Sequence, residues 1–269
     1  MTTTEIGSLL RTAEQAALAA GRYLARHHRS GASTRVKGLP HDVVTDADAR
    51  AEAMIREALT AAHPASEVVG EESGRSGYGE VTWYVDPIDG THNFARGLGL
   101  FAVSIGVHLG GAPVAGVVYE PFGEELFTGA DGTLLVNGVT PERRVPDPLP
   151  VVLTDIPTAG LRDPVEYELF ADLNDTTDLR RIGSSALALA YVAGGRADLA
   201  ANADVFAWDV AAGRALVTAA GGGFTGVPDE PGAERRGGFV AWGPGFDRHG
   251  ARLAEAMGAI SHLTVSAPR

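Results

Sequence analysis

Helical and extended segments alternate along this chain, with a run of hairpins in the middle. That order restricts the available folds more than any single motif does. Apolar periodicity predicts a helix over residues 4–28, with Ile6, Leu9, Leu10, Ala13, Ala17 and Leu24 on one side. It predicts a second over Asp46–Ala62, striped by Ala49, Met54, Ile55, Ala58 and Leu59 and ended by His63-Pro64. Residues 68–70 and 81–85 read as strands, and the polar, glycine-rich stretch 73–80 between them as a loop. A meander follows, with strands at 102–109, 114–119, 125–128 and 133–136 and turns at Gly110-Gly111-Ala112-Pro113, Asp131-Gly132 and Asn137-Gly138. Four prolines within 141–150 mark a connection. Beyond it come a strand at 151–153, helices at 165–173, 185–193, 209–220 and 247–257, and short strands near Phe224 and at 239–241. Elements in this order bury their apolar faces as stacked layers, so a layered α/β fold is expected. At 269 residues the chain fits one domain, 1–269, with halves 1–145 and 146–269.

Composition removes several function classes. There is no cysteine, hence no disulfide framework, thiolate metal site or cysteine nucleophile. The net charge of −12 comes without a basic stripe, which argues against a nucleic-acid polymer as partner. No apolar run is long enough to span a bilayer, and the first ten residues lack a basic stretch followed by an apolar one, so a cytoplasmic location is expected. The eight histidines form no pair at metal-ligand spacing, and His27-His28 reads as an exposed helix end. Of 22 basic residues a single one, Lys37, is lysine, a compact and flexible charge where arginine serves everywhere else.

The chemistry concentrates in Asp86-Pro87-Ile88-Asp89-Gly90-Thr91, placed where the strand 81–85 stops. Pro87 cannot extend a ladder and holds Asp86 extended, while Gly90 permits a close or unusual turn. Two carboxylates, a hydroxyl and free backbone N–H groups at a strand end are what a Mg²⁺–phosphate site requires. A solvated turn uses the same residues. Three further acidic groups lie near element ends. Asp42, Asp46 and Asp48 precede the second helix, where one of them could cap it; Glu71-Glu72 follows a strand; Asp209 opens a helix, where a first-turn charge answers the dipole. Trp83 and Trp208 flank these groups and read as core, and His92 as a helix-start residue.

Taken in order, these pieces resemble the inositol monophosphatase family over essentially the whole chain. They are Lys37 with the run 42–48, Gly70-Glu71-Glu72-Ser73, residues 83–94, Asn137-Gly138, Arg181-Ile182-Gly183-Ser184-Ser185-Ala186, and 208–213. The resemblance implies a five-layer αβαβα sandwich of the inositol monophosphatase/fructose-1,6-bisphosphatase type, a homodimer, and a phosphatase carrying two to three Mg²⁺ ions per subunit. Carried over residue by residue, Glu71, Asp86 and the carbonyl of Ile88 would hold one Mg²⁺. Asp86 would bridge to a second, held also by Asp89 and Asp209. Gly90 and Thr91 would give N–H groups to phosphate. Thr91 with Asp48 would polarise the attacking water, which Glu72 would orient or complete with a third ion. Lys37 sits where the family has a flexible loop. The expected reaction is hydrolysis of a small polyol, sugar or nucleotide phosphate monoester by metal-activated water, an inositol monophosphate-like substrate first. 3′-Phosphoadenosine nucleotides, sugar bisphosphates and histidinol phosphate are alternatives, and a non-catalytic binding module a remote one.

One departure bears on the substrate. Seven residues before the metal-binding aspartate the family often has a ring-binding glutamate; here it is Asn202, with Asp204 two residues on. Asparagine both donates and accepts, so a diol would be held less strongly than by a carboxylate. Gly183, Ser184 and Ser185 are the other expected substrate contacts, with helix capping as their plain alternative.

Overall fold

The computed structural model of the protein describes residues 3–28, 34–36, 43–142 and 148–264. Lys37 and Asp42 lie outside them, as does part of the proline-rich connection, residues 143–147. The described elements, in chain order, begin with α1 (Thr3–His27), β1 (Thr34–Val36), β2 (Val43–Thr45), α2 (Asp46–Ala62), β3 (Ser66–Gly70), β4 (Gly74–Gly77), β5 (Val81–Asp89) and α3 (Thr91–Arg96). Then come β6 (Ala102–Leu109), β7 (Ala112–Glu120), β8 (Glu125–Ala130), β9 (Thr133–Val136), β10 (Val151–Thr154), α4 (Pro164–Thr176), β11 (Asp178–Arg180) and α5 (Ser185–Ala193). The last are β12 (Leu199–Val205), α6 (Ala207–Ala219), β13 (Gly223–Val227), β14 (Gly237–Trp242), α7 (Asp247–Met257) and α8 (Ser261–Thr264).

Two sheets carry the architecture. The first has the order β4-β3-β5-β6-β7-β8-β9, with β3 and β5 parallel and every other pair antiparallel. The second has the order β11-β10-β12-β14-β13; β10 runs parallel to β11 and β12, and the β14 pairings are antiparallel. Successive strand residues point to opposite faces, so neighbouring valines serve different cores. Val117 packs with Trp83, Val85 and Ile105 against Leu9, Ala13, Leu24, Ile55 and Leu59 of α1 and α2. Val118 faces the other way, with Phe127, toward Leu187, Leu189, Leu216 and Val217 of α5 and α6. Those two helices also meet Phe239 and Ala241 of the second sheet. Val152, Leu199 and Val240, on that sheet's far face, pack against Leu169, Leu173, Leu253 and Met257 of α4 and α7. The result is five layers, αβαβα, as the resemblance implies. Of the nine residues of α5 all but Tyr191 are buried, which suits a helix with sheets on both sides.

Four expectations need correction. The stretch 73–80 contains β4, an exposed edge strand that pairs antiparallel with β3; its glycines and charges blunt the edge and hid it from a propensity reading. The strand expected to stop at Val85 continues to Asp89. The buried stripe of α2 is Ala47, Asp48, Ala51, Glu52, Ile55 and Leu59, rotated from the predicted one, because this helix buries two acids. His28 is buried, with its ring edge-on to Phe122. No described helix is long and apolar enough to cross a membrane.

Candidate active site

β5 delivers the two central acids through an irregularity. Its pairing with β6 holds through Asp86 opposite Ser104, then shifts so that Asp89 meets Ala102. On a regular strand residues three apart point to opposite faces. The extra residue of the bulge returns Asp89 to the cleft that Asp86 lines. Pro87 brings no N–H to that break, and the Ile88 N–H donates to Asp86 Oδ1 at 2.9 Å. Gly90 then turns the chain with φ of 99°. A Cβ there would lie 2.8 Å from the Leu100 carbonyl oxygen and 3.1 Å from that of Gly183, so both the conformation and the space call for glycine.

Thr91 starts α3 and its hydroxyl lies between two acceptors, the Ile88 carbonyl at 2.9 Å and Asp48 Oδ1 at 3.1 Å. The single hydroxyl proton is therefore drawn inward, which leaves the oxygen lone pairs to receive a proton from elsewhere. Asp48, in the first turn of α2, is fully buried.

Asp209 enters from the first turn of α6, its Oδ2 accepting the Phe206 N–H at 2.7 Å. Asp86, Asp89 and Asp209 each offer an oxygen within 4.8 Å of the others. Asp89 is anchored by the N-terminus of α5: Ser184 Oγ donates to Oδ2 at 2.7 Å, the Ser185 N–H to Oδ1 at 3.3 Å, and the Ala186 N–H also to Oδ2. Ser184 meanwhile caps α5, accepting from the Leu187 N–H.

This concentration of acids is costly without positive charge. Burial pushes the Asp86 carboxyl well above its ordinary range, and the charges of Glu71, Asp89, Asp209 and Asp48 push it further. Asp209 is raised for the same reasons, burial first, then Asp89 and Glu71. Asp89 is pushed up to about 6 by burial, against the opposing pull of its bonds to Ser184, Ala186 and Ser185. The donors are hard oxygens, the set that Mg²⁺ takes, and their raised proton affinity marks a place that a divalent cation fits.

The acids floor a cleft of about 390 Å³, whose walls include Thr91, His92, Asp155, Thr158, Arg181, Gly183, Asn202 and Asp204. Asn202 is buried and spans two walls: its Nδ2 donates to Ser185 Oγ at 2.8 Å and its Oδ1 accepts from the Asp155 N–H at 2.5 Å. Asp204 is ion-paired with Arg236. Glu71 lines the cleft, whereas Glu72 and Asp48 stand outside its lining, Asp48 reaching it through Thr91. Trp83 is core and bonds Ser66 Oγ through its indole N–H; Trp208 stacks on Phe206. His92 is exposed at the cleft.

Sequence reasoning missed Asp155, Thr158 and Glu52. Asp155 follows β10 and its carboxylate accepts the Gly183 N–H at 3.1 Å; a lone acid after a four-residue strand carries no signal. Glu52 lies one turn after Asp48 on the same face of α2, an i,i+4 spacing that could have flagged it.

The chain is similar to known proteins over most of its length. The model of the inositol monophosphatase family matches residues 6–259. The inositol-1-monophosphatase of Rhizobium meliloti (strain 1021) is 38% identical over 226 residues, covering 80% of this chain and 84% of that protein. The Nus factor SuhB of Pasteurella multocida (strain Pm70) is 36% identical over 223 residues, 80% of this chain and 83% of its own length. The crystal structure of the extragenic suppressor protein suhB from Bartonella henselae superposes with a TM-score of 0.82 at 32% identity, covering 93% of this chain and 98% of that one.

Proposed function

The chain belongs to the inositol monophosphatase family, and from that premise we propose that it is a Mg²⁺-dependent phosphatase releasing phosphate from a small polyol, sugar or nucleotide monoester by direct attack of water. Membership of the family supports a phosphatase. The metal requirement and the residue roles are our reading of the site. The single observation that carries it is the convergence of Asp86, Asp89 and Asp209 beside the Asp48–Thr91 pair in one cleft.

In this reading Glu71, Asp86, the Ile88 carbonyl, Asp89 and Asp209 hold the cations. Mg²⁺ bound there supplies positive charge that lowers the pKa of water and balances the phosphoryl oxygens. The protein's own groups do the rest. Thr91 Oγ takes a proton from the attacking water as its own proton passes to the Asp48 carboxylate, 3.1 Å away, while the Ile88 carbonyl holds the oxygen in place. Glu72 orients the water or a third cation. The N–H groups of Gly90 and Thr91, at the start of α3, face the phosphate. The buried α5 N-terminus keeps Asp89 charged and aimed.

The substrate body lies against Gly183, Ser184, Ser185, Asn202 and Asp204. Asn202 holds Ser185 and Asp155 apart at a fixed width, so it shapes this wall as well as facing it. A ring-diol substrate such as an inositol monophosphate remains the first choice. A sugar phosphate, histidinol phosphate or 3′-phosphoadenosine nucleotide is the alternative. Relatives also bear the name Nus factor SuhB, but a purely non-catalytic role gives no reason for the described acidic set to be complete.

Phosphate release from a panel of these esters, with Mg²⁺ and with EDTA, tests the proposal. Mg²⁺-dependent turnover of at least one ester, lost in Asp209→Asn, is expected. Turnover that survives EDTA would refute the metal role, and no turnover of any ester would refute the phosphatase assignment.

A further inference from the structure

We propose that Glu52 is a positioning residue that sets the Glu71-Glu72 turn against the metal-binding acids. This rests on the metal-site reading above.

Glu52 is a carboxylate with 1% exposure on the sheet-facing side of α2. Its Oε2 accepts the Glu72 N–H at 2.7 Å. Its Oε1 accepts the Ser73 N–H at 3.0 Å, the Ser73 hydroxyl and Arg56 Nε at 2.9 Å. The Glu72 and Ser73 donors of the β3–β4 turn thus end on one buried side chain, while the N–H of Glu71 itself goes to the Val85 carbonyl of β5 at 3.2 Å. Left unmade, such bonds cost the full desolvation of each group. Gly70, the residue before Glu71, leaves room for this: a Cβ there would lie 2.5 to 2.7 Å from the Glu52 carboxylate atoms.

Apart from the Glu71 bond to Val85 and the short β3–β4 ladder, the turn is held from α2. β4 is an exposed edge strand of four residues. Arg56, one turn beyond Glu52, extends the grip by donating to Ser76 Oγ at 2.6 Å, to the Val68 carbonyl at 3.3 Å and to the Gly74 carbonyl. Asp48, one turn before Glu52, holds Thr91. One face of α2 therefore sets two parts of the site, the water-facing hydroxyl through Asp48 and the metal-facing Glu71 through Glu52. Groups that orient metal ligands in this way commonly change metal affinity about 10- to 100-fold when altered.

The test is direct metal binding. Mn²⁺ titrated into metal-free Glu52→Gln, followed by electron paramagnetic resonance or calorimetry, is expected to bind at least about tenfold more weakly than to wild type. The Mg²⁺ concentration for half-maximal activity should rise by the same factor, while KM at saturating Mg²⁺ stays within about twofold. Wild-type Mn²⁺ affinity in Glu52→Gln, with only stability or kcat reduced, would overturn the proposal. Failure of the wild-type protein itself to bind Mn²⁺ would instead overturn the metal-site reading. Should Glu52→Gln not fold, Ser73→Ala decides, since it removes one donor from an exposed turn residue. About threefold weaker Mn²⁺ binding supports the role and unchanged binding refutes it.

Discussion

Replacing Asp89 by asparagine should make the metal-free protein more stable at neutral pH while removing its metal response. The Asp89 carboxyl is displaced from 3.8 to about 6, with burial the leading cause. At about 1.4 kcal/mol per tenfold shift in ionisation, the charged form is disfavoured in the folded state by about 3 kcal/mol. Asparagine keeps the shape and an acceptor for Ser184 Oγ and the Ala186 N–H. It sets an NH₂ group against the Ser185 N–H, a loss of about 1 kcal/mol. The net gain is about 1–2 kcal/mol, or roughly 3–6 °C in thermal midpoint for a chain of this size. The sign reverses with pH. A group whose folded pKa is raised contributes stability below its unfolded value, and that contribution is lost as pH rises through about 6. The advantage of Asp89→Asn should therefore appear at pH 7.5 and vanish by about pH 4. Differential scanning calorimetry in EDTA at both pH values, then with Mg²⁺ at pH 7.5, reads this out. Wild type should gain about 2.7 kcal/mol at a hundredfold excess of Mg²⁺ over its dissociation constant, and the variant far less. An Asp89→Asn protein no more stable than wild type in EDTA at pH 7.5, or equally favoured at pH 4, would refute the reasoning.

Two further outcomes follow from single side chains. Thr91→Ala should lower kcat about 10²–10⁴-fold and Thr91→Ser should restore most of it, measured as phosphate release at saturating Mg²⁺, because the role belongs to the hydroxyl held by Asp48 and Ile88. His108 is held near pKa 4 by burial and then by Arg214. The stability linked to its neutral form is present above about pH 6.5 and is lost as pH falls through about 4, so His108→Phe should reduce acid destabilisation in that window by up to about 3 kcal/mol in denaturant titrations.

The parts of the site that were legible in the sequence are those set by local covalent constraints. Pro87 and Gly90 act on their own backbone, so the break after Asp86 and the turn before Thr91 could be read directly, though the strand's continuation to Asp89 could not. Asp131-Gly132 and Asn137-Gly138 likewise turn with φ of 48° and 71°, and 50° and 77°, as their residue types suggest. β12 was invisible: the seven residues Leu199–Val205 include three alanines, an asparagine and an aspartate, a poor strand by propensity. It is a strand because β10 and β14 pair with both of its edges. The α2 stripe was misplaced for a related reason. Periodicity counts apolar residues, and this helix turns Asp48 and Glu52 inward, where Thr91 and the Glu71-Glu72 turn satisfy them.

By itself the sequence determined the order of the longer helices and most of the strands, β4 and β12 among the exceptions, together with the turns, the acids at element ends and their resemblance to a known family. Each of these is local or ordered along the chain. Only the tertiary structure decided that Asp209 stands beside Asp86, that the start of α5 anchors Asp89, and that Asn202 spans the wall between Ser185 and Asp155. These relations join residues between 17 and some 120 positions apart, beyond the reach of local periodicity. They exist because α5 and α6 are packed between the two sheets, which directs their N-termini at the carboxyl end of β5.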